Sequence, residues 1–239
     1  MTRKYNFNSF SVVVPIYNEE KIFLESAQKI YDICKSTNLN FEIIFSENGS
    51  DDRTIDIANK FCKENLECKV INLPFPDYGN ALKNSFKIAK YDLVVSFDID
   101  YYSEDFLHQA LNLDEEYVAL IASKRLKDSG DNRSIFRRLI SSIFVNILKV
   151  LFGTNLSDTH GMKALKNEIL QSYISKVISN QWMFDTELLM RLEKSNYKIK
   201  EIPIEVVEIR PSVYSLSSDI PKTLYLILKL RFRLFFDSK

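Results

Sequence analysis

Near the middle of the chain, VVSFDIDYYSED (residues 94–105) sets Asp98 and Asp100 one residue apart at the end of an apolar run. Val94, Val95, Phe97 and Ile99 read as a buried strand. In a strand, residues i and i+2 share a face, with Cα atoms about 6.6 Å apart. Two carboxylates so placed can converge on one small cation. A hard ion such as Mg²⁺ takes one or two protein carboxylates and fills its other positions with phosphate oxygens and water. The implied chemistry is the holding of a diphosphate, with Mg²⁺ or Mn²⁺ offsetting charge on a departing nucleotide. The same pair also serves simply to cap a turn. Other reactive residues are sparse. With two histidines (His108, His160) and three cysteines (Cys34, Cys62, Cys68) in no CxxC pair, reduced thiols are expected and a zinc site is not. Lys+Arg 32 balances Asp+Glu 32, so charge gives no case for a nucleic-acid partner.

These groups need strands to carry them to one edge. SVVVPIYNEE reads as a buried strand stopped by Pro15, with Asn18 capping the helix that follows. FEIIFSENGSDD repeats the pattern: a strand over 41–46, a polar turn, and Asp51 or Asp52 capping a second helix. KVINL is a third strand, PFPDYG a loop, NALKNSFKIAK a helix and YDLVVSFDID the fourth strand. This alternation predicts a mostly parallel sheet with helices on both faces. Ligands of such sheets sit beyond the carboxyl ends of the strands. YVALIAS is a further strand, and 135–152 a helix with Phe136, Leu139, Ile140, Ile143, Phe144, Ile147 and Leu151 on one stripe. A helix follows near 183–195 and a strand in IKEIPIEVVEI. In PKTLYLILKLRFRLFF, LKLRFRL alternates like a strand, but Pro221 after a Ser/Asp cluster favours a helix start. The division expected is one domain over 1–216 and a basic amphipathic appendage over 217–239. MTRKYNFNSF has no apolar signal-peptide core, and no apolar run reaches the ~18–20 residues that cross a bilayer.

Taken in order, SVVVPIYNEE, FEIIFSENGSDD, DLVVSFDID, SKR, RRLISS, DTHGMKAL, FDTELLMRL and IKEIPIEV resemble a family 2 glycosyltransferase of the GT-A fold. The resemblance spans roughly residues 10–216 and points most to polyprenyl-phosphate (dolichol-phosphate) mannosyl- and glucosyltransferases. It implies a Rossmann-like α/β domain, a nucleotide-diphosphate sugar donor and a divalent metal on Asp98 and Asp100. It places Pro15, Tyr17, Glu19, Glu47, Asn80 and Ile99 around the donor, with Arg210 and Ser215 closing over its diphosphate. Asp158, Gly161, Asp185 and Glu187 fall at the sugar pocket, and Asp185 is also a candidate general base. Arg125 and Arg137 fall at the acceptor phosphate, which guanidinium groups recognise bidentately. Glu47-Asn48 stands where the family usually has two aspartates, Tyr102 where it often has glutamine, and Leu216 where it has lysine.

A phosphate monoester, with its second pKa near ~6, is already largely dianionic at neutral pH. Such an acceptor needs positioning more than deprotonation, which suits a site with arginines and no evident histidine base. The expectation is therefore inverting hexose transfer from a GDP- or UDP-sugar to polyprenyl or dolichyl phosphate. The protein would lie peripherally on the cytoplasmic face of a membrane, alone, as a homo-oligomer or with a membrane partner protein. Transfer to a hydroxyl of a glycan or protein, or a degenerate nucleotide-sugar-binding partner, are the alternatives.

Overall fold

The computed structural model describes residues 3–131, 134–205 and 216–236. The elements run β1 (Ser9–Ile16), α1 (Phe23–Ser36), β2 (Asn40–Glu47), α2 (Thr54–Glu64), β3 (Cys68–Asn72), α3 (Tyr78–Ile88), β4 (Leu93–Ser96) and α4 (Glu104–Leu111). They continue with β5 (Tyr117–Ser123), α5 (Ile135–Phe152), β6 (Lys163–Lys166), α6 (Asn167–Ile174), α7 (Met183–Lys194), β7 (Lys198–Pro203) and α8 (Leu216–Phe236). Seven strands form one sheet in the order β3-β2-β1-β4-β6-β5-β7. β1 to β4 pair in parallel, as the alternation predicts. β6 runs antiparallel to both β4 and β5, and β7 returns parallel to β5. The sheet is thus mixed and mostly parallel.

Alternation along the central strands builds a core on each face. Val12 and Val14 of β1, with Ile43 and Phe45 of β2, pack beneath α1, α2 and α4. Val13 and Ile44, which point the other way, pack beneath α3, α6 and α7. Strands buried on both faces read as continuous apolar runs, which is why they were legible. A third cluster joins Leu148 of α5, Met183 and Met190 of α7, and Ile227, Leu230 and Leu234 of α8. Among the described residues no helix is long and apolar enough to cross a membrane.

Four local expectations change. Pro15 does not stop β1; it pairs in register with Ser46 of β2. Its missing N–H falls on the same side as Val13, whose carbonyl accepts from Phe97 N–H where the β4 ladder ends. No strand donor is needed beyond that point. Asn18 does not cap α1. It sits at φ 55°, and its Oδ1 accepts from Asp51 N–H at 2.8 Å. β4 ends at Ser96, short of the aspartates. The tail is helical, as favoured, but α8 begins at Leu216 and contains Pro221 rather than starting there.

Candidate active site

The carboxyl ends of β1, β2 and β4 and the loop after β3 converge on one edge. After β1, Asn18 N–H donates to Ser50 Oγ at 3.0 Å and Glu19 N–H to Thr54 Oγ1 at 2.7 Å, joining the turn after β1 to the turn after β2. Tyr17 stands out from this edge, 41% exposed, while Glu19 is buried. The Glu47 carboxylate, also buried, accepts from Gly49 N–H at 3.2 Å and Ser50 N–H at 2.6 Å. Asn48, the amide where the family usually has an acid, is a strut: its Oδ1 accepts from Asp77 N–H at 2.7 Å. Asp77 in turn caps α3 through Asn80 N–H at 3.0 Å and accepts from Gln181 N–H at 2.9 Å. Its charge is thereby satisfied by backbone donors. Asn80 itself is exposed, and its carboxamide oxygen accepts from Asn84 along α3. Gly79 allows the close approach of α3 to the 180–181 loop; a Cβ there would lie 2.5 Å from the Gln181 carbonyl oxygen.

Asp98 and Asp100 lie in a tight turn rather than a strand. Asp98 and Tyr101 exchange backbone hydrogen bonds at 3.1 and 3.0 Å, and the buried Ile99 side chain anchors the turn in the core. Both aspartates are half-buried. Burial, with the Asp100 and Asp185 carboxylates nearby, raises Asp98 above the usual carboxylate range, although Lys163 and Lys124 oppose this. Tyr78 O–H makes a long 3.5 Å donation to Asp98 Oδ1. Burial and the Asp98 and Asp185 charges push its phenol well above the ordinary value.

Asp185, in the first turn of α7, meets Lys163 of β6 at 2.9 Å, both side chains 1% exposed. Its second oxygen, Oδ1, is buried with no hydrogen-bond partner. Glu187 does not join it. Two residues apart on a helix is about 200°, and Glu187 instead accepts from Ile178 and Ser179 N–H and from Arg191 Nε at 2.7 Å. Asp158 Oδ1 accepts from Thr159 and His160 N–H, while Oδ2 is buried without a partner. Gly161 sits at φ 126° beside the Ala122 carbonyl, in a region that favours glycine. His160 donates from Nε2 to the Trp182 carbonyl oxygen at 3.1 Å, and burial holds its pKa down. Its ring packs between Phe144 and Trp182.

Those rings floor a groove of about 590 Å³ between α5, α8 and the 158–160 turn. Ile140, Ile143, Ile147, Leu224 and Ile227 supply apolar wall; Lys124, Arg125 and Arg137 supply three cations. Arg125 Nη1 donates to Ser142 Oγ at 2.9 Å, which fixes it against α5. Arg138 is exposed on the same helix and does not line the groove. Arg210 and Ser215 lie outside the described residues.

Sequence reasoning gave no role to Tyr78 and did not choose Lys124, Trp182 or the α8 wall. Trp182, as the lone tryptophan, was the available signal. Among the described residues no cluster of three His, Cys, Asp or Glu side chains converges as a metal site. Asp98 and Asp100 offer a pair, the number Mg²⁺ commonly takes from protein when phosphates complete its shell. Burial is the main cause of the raised Asp98 pKa, and the Asp100 and Asp185 charges that add to it are the kind of repulsion a divalent ion would relieve.

A model of glycosyl transferase family 2 matches residues 11–174. Glycosyltransferase AglD of Haloferax volcanii is 27% identical over 205 residues, covering 82% of this chain, which spans 32% of that protein. Dolichyl-phosphate beta-glucosyltransferase ALG5D of Trichomonas vaginalis is 24% identical over 233 residues, covering 91% of this chain and 71% of that one. Glucosyl-3-phosphoglycerate synthase from Mycobacterium tuberculosis, solved with Mn²⁺, uridine diphosphate and glucosyl-3-phosphoglycerate, superposes with TM-score 0.65 at 21% identity. That match covers 93% of this chain and 79% of the synthase. The sheet order, its helical layers and this likeness make the fold GT-A, and the chain belongs to glycosyl transferase family 2.

Proposed function

We propose that the protein transfers a hexose, with inversion, from a GDP- or UDP-linked sugar to a polyprenyl or dolichyl phosphate. The observation that carries this is the groove: apolar walls suited to a hydrocarbon chain, with Lys124, Arg125 and Arg137 for a phosphate. Lys124 also influences both Asp98 and His160, so the cationic part of the groove adjoins the carboxylates. The dolichyl-phosphate glucosyltransferase among the relatives supports the acceptor, and the synthase holding uridine diphosphate supports the donor class.

In this reading Arg125 and Arg137 fix the acceptor phosphate, whose oxygen is already anionic and attacks without a protein base. Asp98 and Asp100 would hold Mg²⁺ or Mn²⁺, which would offset charge on the leaving nucleoside diphosphate. Tyr17, Glu19 and the Glu47–Ser50 turn border the donor's nucleoside. Asp158 and Asp185 face the sugar with their unpartnered oxygens. A single displacement by the phosphate oxygen inverts the anomeric carbon.

The orphaned Oδ1 of Asp185 favours a second reading, in which that carboxylate takes a proton from a hydroxyl acceptor. The two readings separate in a transfer assay. Labelled GDP- and UDP-sugars are incubated with a short polyprenyl phosphate and Mg²⁺ or Mn²⁺, with Asp100→Ala as control. Label entering the organic phase, lost in the variant, is the expected result. Donor binding without lipid-phase label would defeat the phosphate-acceptor reading.

A further inference from the structure

α8 has two apolar faces, one turned inward and one outward. Ile227, Leu230 and Leu234 pack inward against α5 and α7. Leu224, Tyr225, Leu228 and Phe232, within an arc of about 100° at 3.6 residues per turn, are between 41% and 67% exposed. α5 does likewise: Val145 and Leu148 are buried, whereas Ile135, Phe136, Leu139 and Ile143 share a face and are between 51% and 83% exposed. Single exposed apolar residues are ordinary, but two stripes on neighbouring helices are not. Ile143 and Leu224 belong both to these stripes and to the groove lining, so the stripes border its opening.

Charge separates in the same region. The whole chain is neutral, with 32 cations and 32 anions. Yet α5 carries Arg137, Arg138 and Lys149, and α8 carries Lys222, Lys229, Arg231 and Arg233, against a single acid, Asp219, in its first turn. Apolar stripes flanked by seven cations and one acid match an interface where acyl chains lie beneath anionic headgroups. Two copies of this chain meeting face to face would oppose like charges.

We infer that the outward faces of α5 and α8 form one docking surface for an anionic lipid bilayer, with the groove opening onto it. This extends the polyprenyl-phosphate reading, but vesicles without acceptor phosphate or donor test it separately. The full chain is sedimented with vesicles of phosphatidylcholine alone, or of phosphatidylcholine with phosphatidylglycerol. Binding to the anionic vesicles, weakened by salt, is expected. Leu139→Asp with Leu228→Asp removes it, and Lys222→Gln and Lys229→Gln each lower partitioning roughly fivefold. All four positions are exposed, and unchanged circular dichroism checks that the variants remain folded. No association with either vesicle, or association indifferent to these substitutions, overturns the inference. So does a concentration-dependent dimer that the Leu139→Asp/Leu228→Asp chain fails to form. Vesicle binding without sugar transfer would instead leave the docking surface standing and count against the acceptor.

Discussion

Lys163 lies in the antiparallel strand β6, between Ser96 of β4 and Ile121 of β5, and its ammonium meets Asp185 inside the protein. A buried pair of this kind adds little net stability over an apolar pair, but removing one partner strands the other's charge. Lys163→Met is therefore expected to cost about 3–5 kcal/mol. Lys163→Met with Asp185→Leu should recover much of that, since both charges leave together. Urea denaturation of the three chains checks this. A single-variant loss no larger than the double's would mean that the pair is not coupled. The types of the candidate-site residues can be read from sequence; the directions of their side chains cannot. Asp98 and Asp100 are in the expected place, but a turn sets their geometry, because β4 ends at Ser96. Asp185 and Glu187 look like a pair in FDTELL, yet the helix sends them to opposite sides. Lys163 showed only as part of a matched segment, because its partner is 22 residues away.

Elements with strong local signals were read to the residue. α5 spans 135–152 because Ser134 caps it, accepting from Arg137 N–H, and Gly153 at φ 71° ends it. β5 matches YVALIAS. β6 and α6 were not predicted as elements: four residues reading KALK and an eight-residue helix carry too little periodicity to stand out. The groove was equally hidden, because its walls come from α5, the 158–160 turn, Trp182 and α8, which only the fold assembles. Its presence at Trp182 gives a direct test. As the lone tryptophan, Trp182 should change fluorescence when a short polyprenyl phosphate enters, without donor present. Trp182→Leu should raise the acceptor KM several-fold and leave donor affinity unchanged, as a loss confined to acceptor binding. An acceptor KM equal to wild type would remove the groove from the acceptor path.

Across the whole molecule, the candidate site gathers at one end of the sheet, and a separate buried carboxylate braces the other. The carboxyl ends hold half-buried aspartates and two orphaned carboxylate oxygens. Near the amino ends, the buried Glu42 of β2 ties neighbouring segments together. It accepts from Ser11 Oγ of β1 at 2.7 Å and from Lys90 N–H, just before β4, at 2.9 Å, and pairs with Lys69 of β3 at 2.9 Å. Burial alone would raise its pKa; the Lys69, Lys90 and Ser11 partners outweigh that and hold it below the ordinary value of 4.5. A carboxylate depressed on folding contributes stability that is fully present above its unfolded pKa. That contribution is lost as pH falls from about 4.5 through the folded value. Glu42→Gln should therefore be less stable by about 1–3 kcal/mol at neutral pH, since one charged hydrogen-bond network is weakened. Its acid unfolding should be shallower, so that the two chains converge as pH falls below the ordinary carboxylate value and through the depressed one. Denaturant titrations at stepped pH measure both limbs, and parallel curves offset by a constant would show that Glu42 is not the linked group. Because Glu42 is remote from the carboxyl-end site, sugar transfer per folded molecule at neutral pH should be unchanged. A fall in turnover without a fall in stability would break the division of the sheet into a binding end and a supporting end.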